Sequence, residues 1–225
     1  MTILVLAPHA DDEVLGVGGT MARLAAEGED VVVAVLTGHG EKPHPLFAPD
    51  AWDQVRQECQ ESCSILGVSR LLFKELPAVS LDVMPAWQIN TTVMEVLEEV
   101  KPDTLYVPFA NDLHKDHGAI AYAASVAARP YLPIGKSISR ILAYETLSET
   151  HLSPAYIEPA FQPSSFCDIS NFIDLKVKAL SAYKSQLQPE CMPRSLTCLR
   201  ALATLRGSHI GVEAAEAFVL LRETC

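Results

Sequence analysis

An open α/β fold built on a mainly parallel sheet is what this chain predicts, and three stretches carry the prediction. Residues 3–6, Ile3-Leu4-Val5-Leu6, form an uninterrupted apolar run closed by Pro8, the pattern of a strand covered on both faces. From Asp12 to Glu27 the apolar positions Val14, Leu15, Met21, Leu24 and Ala25 recur at helical spacing, and residues 30–36 return to a buried strand after Gly28. Strand, helix and strand in that order make a parallel βαβ unit with a right-handed crossover. Farther on, Thr104-Leu105-Tyr106-Val107-Pro108 reads as another buried strand, followed by a helix over 119–128.

The other elements follow in order. Thr37-Gly38-His39-Gly40 closes the second strand, and residues 41–50, with Pro43, Pro45 and Pro49, are a loop on the same rim as His9 and a candidate wall or lid for a pocket. Residues 52–66 form a helix with Val55, Cys59, Cys63 and Leu66 on one stripe and Gly67 as its stop. A short third strand spans 70–73, residues 75–85 are irregular, and a helix spans 87–100. The last third holds a strand over 138–144, a polar connection over 148–165, a helix over 173–184 and a final helix over 212–222. At 225 residues the chain suits one domain. We divide it into a core over 1–147 and a carboxy-terminal extension over 148–225 that completes the pocket.

Composition narrows the partners. Seventeen Lys+Arg against 28 Asp+Glu give a formal charge of -11, a field that opposes nucleic acid and anionic membrane. With no apolar stretch near the roughly 20 residues of a membrane span and no basic leader, a soluble cytoplasmic protein is expected. The six cysteines show neither Cys-x-x-Cys spacing nor the density of a disulfide scaffold. Cys59 and Cys63, four apart on a helix, are read as packing residues.

Chemistry concentrates in two turns. His9, Asp11, Asp12 and Glu13 lie between a buried strand and a helix start, where the helix dipole favours acids. Asp112, His114, Asp116 and His117 occupy the turn after the strand at 104–108. If those two strands are neighbours, as in a sheet ordered 3-2-1-4-5, the turns meet where the winding reverses, which is where ligands bind in open α/β sheets. Two imidazoles and one carboxylate are a common set for a catalytic zinc with an open fourth position, and we take His9, Asp12 and His117 as that set. Fe(II) uses the same set and stays open as the alternative metal. Zinc brings the pKa of water down to about 7, and a carboxylate beside it then takes the proton. Asp11 is the expected general base, His114 the group that stabilises an oxyanion and protonates a leaving amine, and Asp116 an acceptor that orients an imidazole.

The motifs Pro8-His9-Ala10-Asp11-Asp12-Glu13, Gly16-x-Gly18-Gly19 and His114-Lys115-Asp116-His117 resemble the signatures of the PIG-L / LmbE family of zinc-dependent N-deacetylases. The resemblance implies a Rossmann-like three-layer fold with the zinc site at the carboxyl ends of strands one and four. It also implies removal of acetyl groups from N-acetylglucosamine-type sugars or their conjugates, and assembly into homo-oligomers. It gives His9, Asp12 and His117 as ligands, Asp11 as base and His114 as the transition-state histidine. Arg56 resembles an arginine that reaches the family's substrate pocket, and Tyr144-Glu145 a motif lining it. Two positions depart from the pattern: Ala10 where many members have proline, and Tyr183 where some have histidine, so no catalytic role passes to Tyr183.

Arg56, Asp112 and Glu145 are the expected polar contacts to a sugar, while Trp52 and Phe47 are expected to pack the mobile loop down. Three other readings compete: a dinucleotide-binding protein using Gly16-x-Gly18-Gly19 as a phosphate turn, a non-catalytic metal or sugar sensor, and a hydrolase of another amide, a sugar-conjugate amidase, on the same site. The first is disfavoured because the glycines fall inside the helical pattern and acids crowd the turn.

Overall fold

The computed structural model describes residues 1–40, 44, 46–154 and 156–224, so residues 41–43 and 45 of the expected loop lie outside the described residues. Strand β1 (Thr2–Ala7) leads into helix α1 (Asp12–Ala26), and β2 (Asp30–Gly38) returns parallel to β1. Along β1, Ile3, Val5 and Ala7 enter the core on one face while Leu4 and Leu6 enter the core on the other. Burial on both faces explains a run with no polar alternation.

Helix α2 (Pro49–Leu66) stops at Gly67, whose φ of 77° is left-handed backbone that glycine adopts readily. Strand β3 (Arg70–Pro77) runs past the expected end at Phe73, and a single 3₁₀ turn (Leu81–Val83) precedes helix α3 (Ala86–Val100). Strand β4 (Thr104–Pro108) has the expected bounds. Helix α4 (Lys115–Ala127) starts earlier than the apolar pattern indicated, which puts His117 in its first turn. A short helix α5 (Pro133–Ser137) then leads to β5 (Arg140–Tyr144).

The final segments are β6 (Ser165–Asp168), α6 (Ile173–Ala182), α7 (Leu196–Ser208) and β7 (Ala215–Glu223). The sheet runs β3-β2-β1-β4-β5-β7-β6, parallel except where β7 pairs antiparallel with β5 and β6. The expected 3-2-1-4-5 order holds, and β1 and β4 are neighbours. Helices α1, α2 and α6 share one core with the sheet and α3 and α4 the other, giving three layers.

The helix expected over 212–222 is instead β7. Its Ala, Glu and Leu residues favour helix, but the segment lies between β5 and β6 with Phe218 in one core and Val219 packed on the other. A strand buried on both faces shows no period-two pattern, so tertiary pairing overrides local propensity. Strand β6 and helix α7 were not expected at all.

Strand β7 also delivers the buried Glu216 to helix α1. Its carboxylate accepts the Gly19 and Thr20 N–H groups at 2.8 Å each, while Lys176 Nζ lies 2.5 Å from Glu216 Oε1 and donates to Leu15 O at 2.9 Å. Removing one member of such a pair leaves the other charge buried alone, so Lys176→Met should cost about 3–5 kcal/mol in denaturant unfolding. Lys176→Met with Glu216→Gln should cost less than the sum of the single changes. The glycines of α1 serve close packing: a Cβ on Gly16 would lie 2.2 Å from the Tyr144 ring, and one on Gly19 2.6 Å from Ile169. They lie within α1 rather than in a phosphate-binding turn.

Candidate metal centre

The carboxyl end of β1 is tied down by β2, since Thr37 donates to Pro8 O through both its N–H (3.1 Å) and its hydroxyl (2.7 Å). The chain then turns through Asp11 at φ 121°, a backbone conformation that L residues rarely adopt. Glu13 Oε2 holds that turn by accepting the Asp11 N–H at 3.0 Å, and Tyr183 Oη donates to Glu13 Oε1 at 2.5 Å. Tyr183 therefore supports the turn from inside the core.

Three ligand atoms converge, from His9 in the turn after β1, Asp12 at the start of α1 and His117 in the first turn of α4. Asp12 Oδ2 lies 3.3 Å from His9 Nδ1 and 3.2 Å from His117 Nε2, and the ligand atoms of His9, Asp12 and His117 lie within 4.8 Å of one another. His117 Nε2 is buried and makes no hydrogen bond among the described residues, while its Nδ1 lies 2.8 Å from Asp112 Oδ2. A proton on Nδ1 leaves the Nε2 lone pair free. His9 is oriented likewise, with Nε2 2.9 Å from Asp116 Oδ2. This is the donor set and outer support that a divalent metal requires, so the residues fit a zinc-type ion. His9, His114 and Asp116 form a second close group. Asp116, however, is already engaged by His9 and by the Val79 and Leu81 N–H groups at 2.6 and 3.0 Å.

Electrostatics separate the two adjacent aspartates. Burial and the neighbouring Asp12 push Asp11 up to about 8, against the pull of Arg194. Asp12 is held far below the usual carboxylate range because the His117 and His9 contacts outweigh its burial. Against burial, Asp116 and then Asp12 raise His9 to about 9, and Asp12 with Asp112 raises His117 to about 10. Burial and His9 push His114 down to about 4, and its Nδ1 accepts the Asp116 N–H at 3.2 Å. His114 is then neutral, with its proton on Nε2.

A cavity of about 280 Å³ opens above these groups, lined by His9, Asp11, Asp12, His114 and His117. Its lining also includes the apolar Phe47, Ala51, Trp52, Val55, Ala78 and Val79 and the polar Ser148, Glu149, Gln186 and Arg194. The Phe47 and Trp52 rings also pack edge to face, 5.6 Å apart. The three residues expected to contact a sugar are engaged elsewhere. Asp112 sits buried behind His117, and Arg56 pairs with Glu75 at 2.5 Å and lies over the Phe73 ring. Glu145 takes a two-pronged contact from Arg206, at 2.8 and 2.6 Å, and a third from His151 at 3.0 Å. None of the three lines the cavity. Glu149 and Arg194, which do, carry no periodicity or motif that marks them in the sequence.

Two predictions arise here. Asp112→Ala should weaken metal binding by about 10–100-fold, as loss of an outer hydrogen-bond partner does, measured by competition with a chelating dye. Burial raises the Glu145 carboxyl, but His151 and Arg206 outweigh it and hold the group below its ordinary 4.5. A depressed acid contributes stability that is fully present above 4.5 and is lost as pH falls through the folded value. Urea titrations on descending pH should show this loss in the parent protein, and Glu145→Gln should lack that component.

With this geometry in view, comparison with known proteins gives the class. Residues 4–128 match the PIG-L (GlcNAc-PI de-N-acetylase) family, and the chain belongs to that family. A diacetylchitobiose deacetylase of Thermococcus kodakarensis is 23% identical over 95% of this chain and 80% of its own length. Among solved structures, a conserved protein of Thermus thermophilus superposes with a TM-score of 0.77 at 28% identity, covering 99% of this chain and 96% of that one. A 4-carboxy-2-hydroxymuconate hydratase of Pseudomonas putida shares the fold with a TM-score of 0.76 at 19% identity, covering 100% and 97%. The matched segment holds both histidine turns; Glu149, Gln186 and Arg194 lie beyond it. No helix among the described residues is long and apolar enough to cross a membrane.

Proposed function

We propose that this protein is a zinc-dependent N-deacetylase that hydrolyses the acetamide of an N-acetylglucosamine-type sugar or conjugate. The observation that carries the reading is the convergence of His9, Asp12 and His117 beside Asp11, which belongs to no cluster of candidate ligands among the described residues. Family membership and the likeness to a diacetylchitobiose deacetylase support the substrate class.

His9, Asp12 and His117 would hold the ion, and a bound Zn²⁺ would supply Lewis acidity, acidifying water and polarising the acetamide carbonyl. Asp11 takes the proton of the water that attacks the carbonyl carbon. Neutral His114 donates its Nε2–H to the developing oxyanion, and the proton gained by Asp11 is delivered to the departing amine. This assigns to Asp11 the amine protonation that the sequence suggested for His114. Asp116 and Asp112 fix the His9 and His117 rings throughout. The apolar side chains of Trp52 and Val79 in the cavity lining would pack against an apolar face of the sugar.

One fold can host unrelated reactions, and the hydratase likeness makes the product the decisive readout. Incubation of the zinc-loaded protein with free, nucleotide-linked and conjugated N-acetyl sugars should release acetate and a primary amine in equal amounts from at least one of them. Metal-replete protein that binds such a sugar and releases no acetate from any would favour the sensor reading.

A further inference from the structure

Arg194 reaches into the site from a segment that shares nothing with the two histidine turns. Its Nη1 lies 3.3 Å from Asp11 Oδ2, a contact spanning 183 residues, and its side chain lines the cavity. The backbone that carries it is fixed independently of the guanidinium. Arg194 N donates to Gln188 Oε1 at 3.0 Å, Gln188 N donates to Arg194 O at 3.2 Å, and Ser195 caps helix α7 through the Cys198 N–H. Arg194 Nε is buried without a hydrogen-bond partner among the described residues. Buried donors are normally satisfied, so this orphan is a cost accepted in placing Nη1 on Asp11.

From this geometry we propose that Arg194 is the positioning residue for Asp11, holding its carboxylate in the cavity and away from the ion-binding set of His9, Asp12 and His117. Glu13 fixes the Asp11 main chain at its positive φ, and Arg194 fixes the carboxylate. Two adjacent aspartates thereby take separate tasks, one binding metal and one moving a proton. The inference rests on Asp11 being the base.

Arg194→Ala should lower kcat by about 100-fold, the size of effect that a displaced catalytic group produces, with KM little changed and zinc content retained. Added guanidinium ion should restore part of kcat, and Arg194→Lys should retain part of it. A raised KM with intact kcat would make Arg194 a substrate contact, and failure of guanidinium rescue would make it a structural residue; either result overturns the proposal. A readout independent of turnover is a double-mutant cycle of Arg194→Ala and Asp11→Ala, each of which removes the contact, in urea unfolding of the metal-free protein. Non-additive changes support the contact, and additive ones overturn it. If the parent protein releases no acetate from any N-acetyl sugar, the functional reading fails while this cycle still decides the contact.

Discussion

Asp11→Asn should lower kcat for acetate release by about 100- to 10,000-fold while leaving metal content unchanged, the range expected for loss of a general base. Asparagine keeps the size of the side chain and an oxygen for the Arg194 contact, and it tolerates positive φ better than most residues, so the turn at φ 121° should survive. What it loses is the capacity to accept a proton. Because Asp11 lies outside the candidate ligand clusters, the ion should remain. Acetate assays beside elemental analysis of the same sample check both halves, and full activity in the variant would remove Asp11 as the base.

The second large effect is on stability. The site buries Asp11, Asp12 and Asp112 around two imidazoles, and His117 Nε2 has no hydrogen-bond partner among the described residues. An ion that binds only the folded state adds about 4 kcal/mol at a free concentration of 1,000 Kd. For a chain of this size each kcal/mol is worth about 2–4 °C, so zinc should raise the melting temperature by about 8–16 °C over chelator-treated protein. His117→Ala should abolish the rise. An equal shift in that variant would place the stabilising ion elsewhere, and no shift in the parent protein would argue against a resident metal.

The readability of the chain follows how local each determinant is. Strand β1 and the acidic start of α1 are adjacent in sequence, so an apolar run covered on both faces and a helical period suffice to place His9, Asp11 and Asp12 on the rim. The turn after β4 is equally local, and the meeting of the two turns needs only the 3-2-1-4-5 order. Polar residues near the rim are harder to read. Asp112 and Glu145 lie in the right region, but their orientation depends on partners: His117 for the first, and for the second Arg206, 61 residues away. The same holds for Arg194, whose partner is Asp11, and for β7, whose strand form comes from the neighbours on either side of it. Contacts of that range leave no period or motif in the chain.

Crystals grown with zinc and measured on either side of its absorption edge test the account most directly. A single anomalous peak enclosed by His9, Asp12 and His117, with Asp11 outside its coordination, is the predicted result. A peak among Glu13, Cys59 and Cys63, a fully buried candidate group among the described residues, or one that includes Asp11 among its ligands, would contradict it.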